Sequence, residues 1–217
     1  MSPVAPQPLN VAILLFDEVE VLDFAGPFEV FSVAAGLLAD DRLRVVTVAK
    51  DPDAVRAIGG LTVLPDHTLA ASPAPDVLVV PGGDGSRRAM DDAVILDWVT
   101  RVHRRADLVM SVCSGARILA RAGLLDGLRV TTHHQVVEHL RELAPGAEVD
   151  PGPRFIDTGR IVTTGGISAG IDGSFHVVAR LFGEETAERT AAYMEYDRRP
   201  ARAAAHPPSS HPHPRRP

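Results

Sequence analysis

Cysteine is almost missing from this sequence: Cys113 stands alone. One thiol excludes an intrachain disulfide framework and any zinc site built from several cysteines. A free thiol suits a reducing compartment, so a cytoplasmic location is expected. Excess positive charge is missing as well. The formal net charge is −6, which argues against nucleic acid as a partner, because that role wants a basic face. No apolar run approaches the length of a transmembrane helix, so no membrane partner is expected. Residues Met1–Leu9 have neither a basic n-region nor an apolar h-region, so they are not read as a secretory signal.

Cofactor signatures are missing too. Gly165-Gly-Ile-Ser-Ala-Gly170 is rich in glycine but is not GxGxxG, and it lacks a P-loop lysine. His134, Glu138 and His139 show neither H-E-x-x-H nor H-x-x-E-H spacing. No nucleotide, metal or other cofactor is expected. His134 and Glu138, four apart, are read as a surface pair on one helix face.

The chain has 217 residues, 45% of them hydrophobic, enough for one sizeable core. Three segments are expected: a loose proline-rich start over 1–9, one domain over 10–197, and a disordered Arg/Ala/His/Pro-rich tail over 198–217. Asn10–Phe16, Leu43–Ala49, Asp76–Val80 and Leu108–Val112 are apolar runs read as buried strands. Leu61–Leu64 and Arg129–Thr132 are read as shorter strands. Arg154–Asp157 and Arg160–Thr163 flank Thr158-Gly159 as a hairpin, and Asp66–Pro75 is read as a loop. Helical spacing covers Leu22–Leu38, Ala93–His103, Ser114–Ala122, His134–Leu143, Ile171–Phe182 and Glu184–Tyr196. Pro27 argues that the first helix starts later than Leu22, because proline suits only a first turn. Strands that are runs and alternate with helices predict an α/β sandwich around a parallel sheet.

Sites in such sheets form beyond the carboxyl ends of the strands. The crevice expected there collects Asp17–Asp23, Gly82-Gly83 and Cys113. Leu108–Val112, then Cys113-Ser-Gly, then a helical pattern reads as strand, sharp turn, helix: a nucleophile elbow with sulfur in place of oxygen. A lone cysteine is more often a small core filler. At this turn, backbone N–H groups and the helix dipole are expected to lower the thiol pKa and make it reactive. Gly82-Gly83 is either a plain turn or bare backbone whose amides, with that of Ser114, stabilise a developing negative charge. Asp23 stands where a helix N-cap would. Asp172 is read as a cap of its helix. Asp17, Glu18 and Glu20 are read as solvated loop acids.

Leu14–Pro27, Val80-Pro-Gly-Gly83, Ser111-Val-Cys-Ser-Gly115, Ala122–Gly127, Thr131-Thr-His133 and Gly165–Asp172 together resemble the DJ-1/PfpI superfamily, and within it the isonitrile hydratase branch. They are also similar to the amidase-like domain of a group of bacterial transcription regulators. The resemblance implies a flavodoxin-like three-layer sandwich (class I glutamine amidotransferase-like), a homodimer and a small-molecule substrate. It places Cys113 as nucleophile, Asp23 as the carboxyl facing the sulfur, its pKa raised by the nearby thiolate, and Ser114 as a hydrogen-bonding partner of water or carbonyl. Gly82, Gly83, His133 and Ile167 line the substrate. Protease-like members carry histidine directly after the cysteine; here Ser114 stands there, which turns the chemistry away from a Cys-His hydrolase. His134 stands where relatives often have tryptophan. The activity implied is water addition to an isonitrile to give an N-substituted formamide. The alternatives are a DJ-1-like oxidation-sensing or glyoxal-handling protein, and a ligand-sensing domain. Residues after Asp197 are too few for a DNA-binding domain, so DNA binding in cis is not expected.

Overall fold

The computed structural model describes residues 8–39 and 41–198. Seven strands form one sheet: β1 (Leu9–Leu15), β2 (Leu43–Ala49), β3 (His67–Thr68), β4 (Val77–Val80), β5 (Leu108–Ser111), β6 (Phe155–Asp157) and β7 (Ile161–Thr164). Their order is β6-β7-β5-β4-β1-β2-β3. Every pairing is parallel except the β6/β7 hairpin. The apolar runs explain this arrangement. Val11 to Leu15, Val77 to Val80 and Leu108 to Met110 are buried, as strands covered on both faces must be.

Helices α1 (Val21–Leu37), α6 (Ala169–Phe182) and α7 (Glu184–Tyr193) pack on one another. Helix α4 (Ala116–Arg121) packs with α2 (Ser86–Ala89), α3 (Ala93–Arg105) and α5 (Val137–Leu143). The result is a three-layer, flavodoxin-like α/β sandwich with a mainly parallel sheet. Among the described residues, no helix is long and apolar enough to cross a membrane.

The register brings three strand ends level. Val11 lies beside Val77, and Val77 beside Leu108. The loops that follow are sewn together by backbone bonds: Glu20 N–H to Gly82 O (3.0 Å), Gly85 N–H to Glu18 O (3.1 Å) and Val112 N–H to Val80 O (3.0 Å). An antiparallel bridge between Val19 and Gly83 completes the seam.

Several expectations need correction. Helix α1 starts at Val21, so Asp23 lies in its first turn and is not a cap; Glu20 flanks the helix without a side-chain bond. Pro27 sits inside the helix, where it removes the N–H that would bond the Asp23 carbonyl. Tertiary packing overrides the local preference. Asp172 likewise lies inside α6, not at its cap. His134 belongs to a 3₁₀ turn, His134–Val136, while Glu138 in α5 pairs with Arg141 (2.6 Å), so no His134–Glu138 pair forms. Four pieces escaped the reading because two to four residues carry no periodicity: edge strand β3 within the expected loop, Val55–Arg56 paired with the expected strand at Thr62–Val63, Glu148–Val149 paired with the expected strand at Arg129–Val130, and α2. The looseness expected over 1–9 and the disorder over 198–217 fall almost wholly outside the described residues. At their edges, Leu9 pairs with Leu43 inside β1 and Arg198 pairs with Glu184.

Candidate active site

Cys113 follows β5 at φ +56°, a left-handed conformation that costs a non-glycine residue about 1–3 kcal/mol and persists only where its surroundings enforce it. The enforcement is visible. The Cys113 amide donates to Gly165 O (3.0 Å), and Thr132 Oγ1 donates to Cys113 O (2.8 Å). Gly115 lets the turn close on β4: a Cβ there would stand 2.1 Å from Val80 O. A 3₁₀ turn, Cys113–Gly115, then leads into α4. The elbow read from the sequence is present.

The sulfur is nearly enclosed, with Cys113 7% exposed. The amides of Ser114 and Ile167 donate toward it. Ile167 is a β-branched residue at φ +50°, so that loop too is held in a strained form. These donors favour the thiolate, but burial and the Asp23 charge outweigh them, and the thiol is pushed up to about 12. The low pKa expected of Cys113 is therefore corrected: desolvation beats two amides and the dipole of a six-residue helix.

Asp23 is fully buried. Oδ2 accepts the Gly82 N–H at 2.9 Å. Oδ1 takes no hydrogen bond of full geometry from the described residues; the Cys113 thiol interacts with this carboxyl and holds its pKa down. Burial, followed among the raising influences by the charge of Glu20, drives the carboxyl up to about 7 against the Gly82 amide. The rise matches expectation, but its first cause is desolvation and not a neighbouring thiolate. Glu20 is half-buried and joins the site electrostatically, unlike the solvated acid expected.

Ser114 turns its hydroxyl away from this role. Oγ accepts from Gly83 N (2.9 Å) and Ser86 Oγ (3.1 Å) and donates to Gly83 O (3.2 Å). It is locked into the scaffold, and the amide of Ser114 is what faces sulfur. Gly82 and Gly83 are corrected in the same way. Both amides already serve protein acceptors, Asp23 Oδ2 and Ser114 Oγ, so neither is a free oxyanion donor. Gly82 instead permits close approach, because a Cβ there would stand 2.5 Å from Ser114 Oγ and 2.9 Å from Asp23 Oδ2.

His133 walls the loop that carries Ile167: a Cβ on Gly166 would stand 2.1 Å from its ring. Nδ1 accepts from Gln135 N (3.3 Å), and the ring lies 4.2 Å from that of His134. Burial first, then His134 and Arg117, lower its pKa, so the ring is neutral with its proton on Nε2. Two contributors were missed in the sequence, Thr132 and Arg117. Arg117 is 4% exposed and donates to Ser86 Oγ and His139 Nδ1, both at 3.1 Å. A cation on the inward stripe of α4, between Ala116 and Ala120, was the available signal. A groove of about 310 Å³ beyond β1 and β2, reaching Lys50, Arg88 and Asp92, includes neither Cys113 nor Asp23.

A cysteine elbow at the carboxyl edge of a parallel α/β sandwich, facing a buried carboxyl, defines the class of this site. Residues 9–180 match the DJ-1/PfpI family, and the chain belongs to that family. It is 36% identical over 188 residues to isonitrile hydratase of Pseudomonas putida, covering 87% of this chain and 78% of that one. It is 30% identical over 200 residues to the HTH-type transcriptional regulator GbdR of Pseudomonas aeruginosa, covering 91% of this chain but 53% of the regulator. Among solved structures, a ThiJ/PfpI family protein from Pseudomonas syringae is 32% identical with a TM-score of 0.80, covering 92% and 80% of the two chains. Drosophila melanogaster DJ-1beta, 20% identical, shares the fold with a TM-score of 0.78 and covers 88% and 99%.

Proposed function

We propose that this protein is a cysteine-dependent isonitrile hydratase-like lyase that needs no cofactor. The observation that carries the reading is the buried pair of Cys113 and Asp23 with no histidine beside the cysteine. Likeness to isonitrile hydratase over most of both chains supports it.

The chemistry follows from the two protonation states. At neutral pH the sulfur carries its proton, and Asp23 titrates near 7, where a general acid–base works best. Asp23 takes the proton from Cys113 as sulfur attacks the terminal isonitrile carbon, forming the S–C bond. Asp23 returns that proton to the same carbon, giving a thioimidate with a C–H bond. Water then adds to this carbon, and Asp23 relays one of its protons to nitrogen. Collapse of the adduct makes the C=O bond, breaks the C–S bond and returns the second water proton to sulfur. The product is an N-substituted formamide. The amides of Ser114 and Ile167 hold sulfur while it is charged, and His133 with its Nε2 proton walls the substrate space.

The test is turnover of an aryl isonitrile to formamide. Wild-type turnover that equals Cys113→Ala would end this reading. Likeness to GbdR favours a second one, a ligand-sensing use of the same pocket. Saturable isonitrile binding without turnover would select it. An oxidation-sensing role has less support, because a thiol held protonated is a poor oxidation target. The proposed unit is a homodimer of one-domain chains spanning 10–197, working in the cytoplasm without nucleic acid. Light scattering at the mass of one chain would remove the dimer.

A further inference from the structure

Arg117 is the one buried cation among the described residues, and no carboxylate pairs with it there. A guanidinium out of water without a counter-charge is costly. Its place in the fold explains its presence. It sits four residues after Cys113 on α4, and its charge interacts with Cys113 and with His133. Its Nη1 donates to Ser86 Oγ, Ser86 Oγ donates to Ser114 Oγ, and Ser114 Oγ donates to Gly83 O. The Ser114 amide at the end of this relay points at sulfur.

We propose that Arg117 is a positioning residue for Cys113: through Ser86 it fixes the turn that aims the Ser114 amide, and its charge is the counter-charge for the thiolate. When the proton passes from Sγ to Asp23, negative charge moves from carboxylate to sulfur with no net change for the pair. A fixed cation whose charge acts on the sulfur favours that transfer. The neighbouring charges do not cancel the effect. Asp84 and Arg87 are exposed and opposite in sign, and they act on the guanidinium in opposite directions. His139 on α5 accepts from Arg117 Nε and is held neutral by burial and by this arginine. His133 is neutral too. From α1, Asp23 faces the sulfur, and it is the proton acceptor of the step.

The proposal rests on Cys113 being the nucleophile, but its test reads the sulfur and not the turnover of any substrate. Cys113 is the only cysteine, so iodoacetamide labelling followed by mass spectrometry reports one thiol. The reagent is neutral and carries no bias toward a cation. Arg117→Met should slow labelling about tenfold at fixed pH and move the profile up by about one unit. Arg117→Lys, which keeps the charge, should recover most of the rate. Ser86→Ala, which keeps the cation and cuts the relay, should slow labelling by about threefold, the lesser part of that effect. An R117M profile that overlays the wild type overturns the proposal, as does an R117K protein as slow as R117M. Should R117M not fold, S86A decides: wild-type labelling removes the relay. A shifted profile in a protein without isonitrile turnover would keep this inference and discard the proposed reaction.

Discussion

Two aspartates lie buried in the first turns of two helices that pack together, and they have opposite surroundings. Asp172 in α6 is 2% exposed and bonds to the Arg154 guanidinium and the Tyr196 hydroxyl (3.1 Å). Asp23 in α1 is 0% exposed and has one amide and a thiol, with no cation paired to it among the described residues. The same residue type in a first helical turn is an ion-paired tether in one case and, in the other, a carboxyl raised to about 7. Arg154 also reaches Ser168 (3.3 Å), so the Asp172 cluster braces the loop whose Ile167 amide faces Cys113. Paired charge holds the scaffold still; unpaired charge stays free to gain and lose a proton. Burial alone does not mark a functional carboxyl. Burial without a counter-ion is what makes Asp23 the candidate.

The largest test of this contrast is activity. Asp23→Asn should lower isonitrile turnover by about 10²–10⁴, the usual worth of a positioned acid–base, while Asp172→Asn should stay within a few-fold. Equal losses would erase the distinction. Next comes stability against pH. The folded pKa of Asp23, about 7, lies above its unfolded value, so folding favours the protonated form. Stability is then lost as pH rises from about 4 to about 7 and stays lost above, by an amount on the order of a few kcal/mol. Asp23→Asn should gain on the wild type between pH 5 and pH 8 in urea unfolding, and a constant difference would contradict the assignment. Third, Asp172→Asn should cost about 1–3 kcal/mol at pH 7 in the same assay. The cost stays moderate because Arg154 is 38% exposed and can turn to water. A last test is the shape of the pH profile. In the proposed reaction Asp23 is ionised to take the thiol proton, so kcat/KM should fall about tenfold per unit below pH 7 and level off above. A profile flat from pH 5 to 8 would place the base elsewhere.

Much of the fold was legible because burial on both faces leaves long apolar runs. Val11 to Leu15 and Val77 to Val80 could hardly be anything but inner strands. The elbow was legible for a related reason: Cys113-Ser-Gly interrupts such a run at once. What escaped had no local signature. His67-Thr68 joins the sheet because β2 offers it an edge, with Asp66 tied to Thr47 (2.8 Å), and two residues have no period to read. Asp23 and Asp172 looked like caps because aspartate near a helix start usually is one. Both are inside instead, since the helices begin where the preceding loops are pinned.

The roles read from motifs changed once the contacts of each residue were visible. Gly82 and Gly83 stand at the site, yet their amides already have acceptors. Ser114 stands beside the sulfur, yet its hydroxyl belongs to Ser86 and Gly83. By itself the sequence determined which strands are buried, where the chain turns, and that one thiol, several glycines and an acid meet at one sheet edge. Those are consequences of pattern along the chain. Only the tertiary structure decided how acidic Cys113 and Asp23 are, which amides remain free, and that Arg117 comes to rest without a carboxylate among the described residues. Solvent access and the identity of the nearest charge set these properties, and both depend on segments as far apart in sequence as Asp23, Gly82, Cys113 and Ile167.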